Sequence, residues 1–285
     1  MAMHSNNINL RVTSMKSDKQ SKFIRPTMLI AYIALLLPCT ATAVTINVLQ
    51  DTTIYNTGTA NGSGQGLFAG ASGNGTVQRG LIKFDLSSVV AGSIITNVTL
   101  TMHVNSMGSA NTVDTITLNT LSQDWNEATA GGGNATKGGG SGYTANPGDA
   151  TWTSSGISPW TAGGAFNTII SDSLQIGSTG FFTFSDANLI TDIQNWINNP
   201  DANFGWILRG NELTNGSSKR FSSSENTGGG GTNVPVLNIE YQAAVVPLPA
   251  AVWLFTSGLL SLIGVSRRNN FNVNTLARVK KFRDY

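Results

Sequence analysis

Residues 97–104 read NVTLTMHV, with an apolar side chain at every second position and threonine or histidine between them. A β-strand directs successive side chains to opposite faces of its sheet. The alternation therefore predicts a strand whose Val98, Leu100, Met102 and Val104 face a core, while the intervening residues face solvent. This stretch indicates β-structure at the centre of the chain.

Similar patterns extend outward from this strand. Gly80, Ile82 and Phe84 share one predicted inner face, and Ile116 and Leu118 share another. Asp114 is expected at the open end of the second of these strands. Further strands are predicted at residues 181–184, 204–208 and 234–241. Three stretches rich in Gly, Ser and Asn, residues 58–75, 130–148 and 226–233, are interpreted as loops.

One helix is predicted after the strand at 181–184. Apolar residues recur at helical spacing: Leu189, Ile190, Ile193, Trp196 and Ile197. Ser185 or Asp186 can cap its start, and Pro200 follows its end. Many short strands with turn-rich joints and one short helix predict an all-β fold, a β-sandwich of jelly-roll type.

The N-terminus has the order of a secretory signal. Basic residues precede an apolar stretch at 28–37, and Ala41 and Ala43 form a small-residue cleavage pattern. We predict a signal peptide over residues 1–43, cleaved after Ala43, and an exported body over residues 44–245.

The C-terminal region has an uncharged and mostly apolar run at residues 250–265. As a helix it reaches about 24 Å, so it spans a ~30 Å hydrocarbon core if Trp253 and the following arginines lie at the interfaces. Arg267, Arg268 and a basic tail at 269–285 follow at once. These flanks predict a single transmembrane helix with a cytoplasmic tail. A buried core helix is the alternative.

The exported body is acidic, although the whole chain has a formal net charge of +2. Residues 44–245 hold six Lys and Arg against thirteen Asp and Glu, a net charge near −7. The composition therefore argues against a nucleic-acid partner. The body also contains no cysteine, which excludes a disulfide framework.

The C-terminal motifs resemble the PEP-CTERM sorting signal over residues 246–268. Pro247, Leu248 and Pro249 come first, then the apolar run, then Arg267 and Arg268. The resemblance implies a Gram-negative bacterium and a membrane-embedded peptidase, an exosortase, that cuts near the Pro-x-Pro. Leu248 stands where Glu is usual, and residues 269–285 extend beyond the usual end.

The body resembles the DNRLRE domain, also treated as carbohydrate-binding module family 96 and related to disaggregatase repeats. The opening match is RGLIKFDLSS at residues 79–88. Later motifs follow in the family's order: WNE at 125–127, TW at 151–152, DIQNW at 192–196, NFGW at 203–206, FSSSE at 221–225 and PVL at 235–237. A Gly-rich insertion between Glu127 and Thr151 departs from the family pattern.

Catalytic patterns are weak in the body. Its single histidine, His103, lies on the polar face of a strand and has no Gly-x-Ser-x-Gly elbow. Asp124 with Glu127, or Glu225 with Asp85, are the carboxylate pairs that glycoside hydrolysis could use. We expect these carboxylates to lie on the surface and the protein to be non-catalytic.

Sugar binding has better candidates, because aromatic rings can stack on the C–H faces of sugars. The aromatic candidates in or beside polar loops are Trp125, Tyr143, Trp152 and Trp160. Arg79, Lys83 and Asp85 share one strand face. They could hold an acidic sugar, or could form an ion-pair network to which Glu225 or Glu127 adds further charge. Trp196 and Trp206 are expected in the core.

No cofactor is expected, with a structural Ca²⁺ as the alternative. Oxygen ligands for such an ion could come from Asp114, Asp149, Asn199 and Asp201.

We therefore expect an exported, non-catalytic surface or extracellular-matrix protein that binds polysaccharide at the envelope of a Gram-negative bacterium. The alternatives are a polysaccharide-degrading, disaggregatase-like enzyme and a structural matrix or appendage protein.

Overall fold

The computed structural model describes residues 41–131, 140–244, 254–255, 257–259 and 261–262. All of them belong to the unit Cys39–Tyr285. The leader before Ala41, the sorting motif at Pro247, Leu248 and Pro249, and the pair Arg267 and Arg268 lie outside the described residues.

The described chain is mostly β-structure with few helices, which confirms the all-β prediction in its coarse form. The strands are β1 (Ala41–Tyr55), β2 (Ala60–Asn61), β3 (Gly66–Ala71), β4 (Val77–Phe84), β5 (Ile94–Met107), β6 (Asp114–Leu121), β7 (Phe166–Ile176), β8 (Gly180–Phe184), β9 (Trp206–Arg209), β10 (Lys219–Ser222) and β11 (Val236–Gln242). The helix is α1 (Ala187–Asn198), and 3-10 turns follow at Pro200–Ala202 and Gly228–Gly231.

The eleven described strands pair antiparallel in one connected sheet, of which two parts, called sheet A and sheet B, share β1 and β3. In sheet A, the first half of β1 pairs with β11, which pairs with β5, and β5 pairs with β8 and β10. In sheet B, the second half of β1 pairs with β2 and β4, and β9, β6 and β7 follow β4. Because β3 pairs with both β10 and β4, the pairings return to β1.

The main core takes side chains from both sheets and from α1. Val98, Leu100, Met102 and Val104 are all fully buried, as the NVTLTMHV alternation predicts. Ile116 and Leu118 also face this core. The alternating pattern therefore identified the inner face of both strands.

Helix α1 is bounded by the residues that the sequence indicated. The Asp186 side chain accepts a hydrogen bond from the Asn188 amide at the helix start. Leu189, Ile193 and Trp196 are buried against the main core, because they lie on one face of the helix. Pro200 opens the 3-10 turn that follows.

The interpretation of residues 58–75 as a loop was wrong. Strand β3 lies within this stretch, and all six residues of its sequence GLFAGA are buried. Gly70 has φ +121°, and a Cβ there would lie 2.9 Å from the backbone of Ser218. The glycine therefore allows the close approach of the chain just before β10, and tertiary pairing overrides the low strand propensity of these small residues.

Strand β1 begins at Ala41, three residues before the expected start of the exported body. Ala41, Thr42 and Ala43 pair with Gln242, Tyr241 and Glu240 of β11. The predicted cleavage position after Ala43 therefore lies inside this strand.

The predicted transmembrane segment at 250–265 is described only in part, at residues 254–255, 257–259 and 261–262, which are helical. Over the part of the chain that the structure describes, no helix is long and apolar enough to cross a membrane.

Candidate functional site

Residues 122–131 and 140–165, hereafter the covering segment, lie against the outer face of sheet B. Alternation in the strands directs Ile54, Leu81 and Ile207 to this face, away from the main core. Trp125 and Trp160 of the covering segment complete a second hydrophobic cluster with them. Sheet B is therefore apolar on both faces.

Two of the four aromatic residues that were predicted to stack on sugars are buried away from solvent. Trp125 is 2% exposed and Trp160 is 9% exposed. The Trp125 indole donates a hydrogen bond to the Phe204 carbonyl, and the Trp160 indole donates to the Thr151 carbonyl. In this structure both rings stabilise the fold and present no open face to a sugar.

The other two aromatic candidates are half-buried. Tyr143 pairs through its backbone with Ala60 and packs against a small cluster of alanines. Trp152 packs at the edge of the second cluster, with the Arg79 guanidinium 4.8 Å from its ring centroid.

Arg79 forms an ion pair, with a partner that the sequence did not indicate. Its Nε and Nη2 donate to the two carboxylate oxygens of Glu212 at 2.6 and 2.8 Å. Its Nη1 donates to the Gly163 carbonyl at 2.8 Å. The expected partners Glu225 and Glu127 lie elsewhere, because the loop after β9 brings Glu212 to this face. Arg79 thus joins β4 to the covering segment.

A second arginine, Arg209 on β9, lies beside this pair. Its guanidinium is 4.6 Å from the Phe166 ring centroid. Burial lowers the pKa of Arg209, and the neighbouring Arg79 lowers it further. Its buried Nε has no hydrogen-bond acceptor among the described residues.

Lys83 lies four residues further along β4 and donates to Asp124 at 3.0 Å. The Lys83 side chain is 18% exposed and that of Asp124 is 51% exposed. Asp124 is the more exposed partner of this pair and is the group that a ligand can reach more easily.

This ion pair lies in a cleft of about 650 Å³, hereafter the Lys83 cleft. Its lining combines exposed or half-buried apolar side chains with charged and amide groups: Leu49, Lys83, Val90, Asp124, Asn203 and Phe204. Asn203 Oδ1 is buried and accepts no hydrogen bond within the described chain. An amphipathic lining of this size suits a small ligand with apolar faces and polar edges.

The carboxylate pairs considered for glycoside hydrolysis are arranged differently from expectation. Asp124 pairs with Lys83, whereas Glu127 and Glu225 lie with Asp51. One carboxylate oxygen from each of Asp51, Glu127 and Glu225 lies within 4.8 Å of the others. We call these three residues the carboxylate cluster.

The carboxylate cluster is partly shielded from water. Asp51 is 1% exposed, and burial together with the charges of Glu225 and Glu127 raises its pKa well above the ordinary value. Burial also raises the pKa of Glu127 to about 7, although a hydrogen bond from the Asp51 amide acts in the opposite direction.

Two of the predicted calcium ligands have other partners. Asp114 lies at the end of strand β6, as expected, but it is buried there and accepts a hydrogen bond from the Lys219 ammonium at 2.6 Å. Asp149 accepts hydrogen bonds from the backbone amides of Thr129, Ala130 and Asn146, which fixes the covering segment.

The remaining two calcium candidates lie after α1. Asn199 caps the end of the helix, and Asp201 lines the Lys83 cleft. The four predicted ligands are therefore not brought together into one oxygen cage.

His103 is half-buried beside the Phe181 ring, 4.7 Å between centroids. Within the described residues its Nδ1 contacts the Ser222 hydroxyl at 3.3 Å rather than a carboxylate. This geometry lacks the acid that would orient a catalytic histidine.

Sequence reasoning missed the carboxylate cluster as a unit. Asp51, Glu127 and Glu225 are far apart in the chain, and only Asp51 belongs to a strand. Asp51 lies within β1, after the alternating residues Val44, Ile46 and Val48, and a charged residue inside a strand was one available signal.

A comparison with curated proteins found no match. Residues 42–141 match the family described as Carbohydrate-binding module family 96, and this part of the chain is therefore similar to a carbohydrate-binding module.

Proposed function

We propose that this chain is an exported, non-catalytic protein that binds polysaccharide in the Lys83 cleft. The observation that carries the proposal is the match of residues 42–141 to Carbohydrate-binding module family 96. That stretch includes Leu49, Lys83, Val90 and Asp124, which form much of the cleft wall.

The chemistry of the cleft supports this ligand class. Leu49, Val90 and Phe204 offer apolar contacts for the C–H faces of a sugar ring. Lys83, Asp124 and the unsatisfied amide oxygen of Asn203 offer donors and acceptors for hydroxyl groups. The antiparallel strands around a shared core support the all-β fold that such a module implies.

We also propose that the protein is exported and then processed near its C-terminal region. The leader predicted at 1–43 favours export, and the resemblance of residues 246–268 to a sorting signal favours processing by an exosortase. The protein would then act at the cell envelope or in the extracellular matrix of a Gram-negative bacterium. Mass spectrometry of the exported form tests this route, because a species with both termini intact would contradict it.

Titration of the purified protein against neutral and acidic bacterial polysaccharides tests the binding function. We expect Asp124→Asn to weaken binding about tenfold, a loss near 1.4 kcal/mol, because it removes a charged acceptor from the cleft. Glu240→Gln is the matched control, since it neutralises one exposed carboxylate on β11 in sheet A.

The outcomes distinguish whether the protein binds polysaccharide at all from whether it binds it in the Lys83 cleft. A folded wild-type protein that binds no polysaccharide in the panel contradicts the function. Equal binding by both variants and the wild type places the sugar outside the Lys83 cleft. New reducing ends during the incubation would instead indicate a polysaccharide-degrading enzyme.

A further inference from the structure

We infer that Asp51, Glu127 and Glu225 form a binding site for a divalent cation, with Ca²⁺ as the preferred ion. The three side chains come from β1, from the covering segment and from the turn after β10. This site lies outside the Lys83 cleft and does not depend on the proposed polysaccharide binding.

The first observation is the geometry of the carboxylate cluster. Oxygens bound to one Ca²⁺ at about 2.3–2.6 Å cannot be more than about 5 Å apart. The three carboxylates meet this limit, with one oxygen of each within 4.8 Å of the others. All three ligand atoms are carboxylate oxygens. Hard cations such as Ca²⁺ prefer oxygen ligands, whereas softer metals prefer sulfur or nitrogen.

The second observation is an oxygen without a partner. Glu225 Oε1 accepts a hydrogen bond from the Ser224 hydroxyl at 2.7 Å, whereas Oε2 is buried and accepts none from the described residues. A buried carboxylate oxygen without a donor is costly, and a bound cation removes that cost.

The third observation is the charge balance. Asp51 is 1% exposed, and none of the ion pairs formed by the described residues involves a member of the cluster. Three carboxylates at this spacing repel one another unless they bind a proton or a cation. The raised pKa values of Asp51 and Glu127 express the same repulsion and burial.

A cation here would add to the hydrogen bonds that already join these three segments. The Gln50 amide donates to the Trp125 carbonyl, and the Asp51 amide donates to Glu127. Ser224 donates its amide to Asp51 from the β10 side. Ca²⁺ binding would therefore fasten the covering segment and the turn after β10 to β1, and we expect it to stabilise the fold.

The test uses the purified protein after treatment with EDTA. Calorimetric titration with Ca²⁺ at neutral pH should show one saturable site. Thermal unfolding should give a higher melting temperature with Ca²⁺ than in EDTA. Tb³⁺ should bind at the same place and show luminescence excited through tryptophan, because Trp125 lies two residues from Glu127, and Ca²⁺ should displace it. Neither readout requires a polysaccharide.

Glu127→Gln and Glu225→Gln should each weaken Ca²⁺ binding roughly tenfold or more, because affinity follows the charge of the ligands. Glu240→Gln, an exposed carboxylate outside the cluster, should leave it unchanged. In EDTA the two cluster variants should be more stable than the wild type, since repulsion is relieved. With Ca²⁺ this order should reverse.

Three outcomes would overturn the inference. One is a folded wild-type protein without saturable Ca²⁺ binding. Another is Ca²⁺ affinity that neither cluster variant alters. The last is variants that are more stable than the wild type both in EDTA and in Ca²⁺, which would mean that the cluster binds protons only. Tighter binding of Mg²⁺ than of Ca²⁺ would refute the choice of ion.

Discussion

Lys219 is fully buried, and oxygen atoms from three residues surround its ammonium group. It donates to the Thr112 carbonyl at 2.8 Å, to Asp114 Oδ2 at 2.6 Å and to the Ser217 carbonyl at 2.9 Å. Burial raises the pKa of Asp114, but hydrogen bonds from Lys219, Thr112 and Asn211 outweigh it and leave the pKa below its ordinary value. The carboxylate form of Asp114 is therefore favoured inside the protein.

We predict that Asp114→Asn lowers the free energy of unfolding by about 3–5 kcal/mol, because it leaves a buried ammonium without its counter-charge. The double variant Asp114→Leu with Lys219→Met should recover most of this loss, since no charge remains to be compensated. Urea unfolding measures both. A single variant as stable as the wild type would show that the pair is not buried in solution.

At the scale of elements, the covering segment behaves as a second layer on sheet B. Its tryptophans pack on Ile54, Leu81 and Ile207, and Arg79 binds its backbone through Gly163. The segment is irregular, yet its apolar side chains bury surface as a strand or helix would.

We predict that Trp125→Ala lowers the free energy of unfolding by about 3–5 kcal/mol, the usual cost of removing a buried aromatic ring. Trp152→Ala should cost less, because Trp152 is only half-buried. Denaturant unfolding of both variants checks the difference. If Trp125→Ala kept full stability but lost sugar binding, the Trp125 ring would contact the sugar directly.

At the scale of the whole molecule, the two sheets are joined at β1 and β3. The first half of β1 belongs to sheet A and the second half to sheet B. Unfolding of either sheet therefore breaks pairings in the other, which favours a single cooperative transition.

We predict that a chain beginning at Val44 is less stable than one beginning at Ala41 by less than about 1 kcal/mol. Residues 41–43 are exposed, and β1 keeps its pairings from Val44 onward. Thermal melting of the two chains provides the measurement. A chain starting at Val44 that fails to fold cooperatively would argue against signal cleavage after Ala43.

Local patterns in the sequence determined which face of several elements would be buried. The strict alternation of NVTLTMHV and the helical spacing of Leu189, Ile193 and Trp196 require no knowledge of the partner, since each follows from backbone geometry alone. The secretory and sorting signals are likewise local, and they remain predictions.

Only the tertiary structure decided which distant groups meet. Strand β3 has a loop-like composition and becomes a strand because β10 and β4 flank it. The pairing of Arg79 with Glu212, and the meeting of Asp51, Glu127 and Glu225, depend on how sheets and loops are stacked. Periodicity specifies the direction of a side chain but not which residue lies opposite it. Burial and charge compensation depend on that opposite residue, which only the tertiary structure brings into contact.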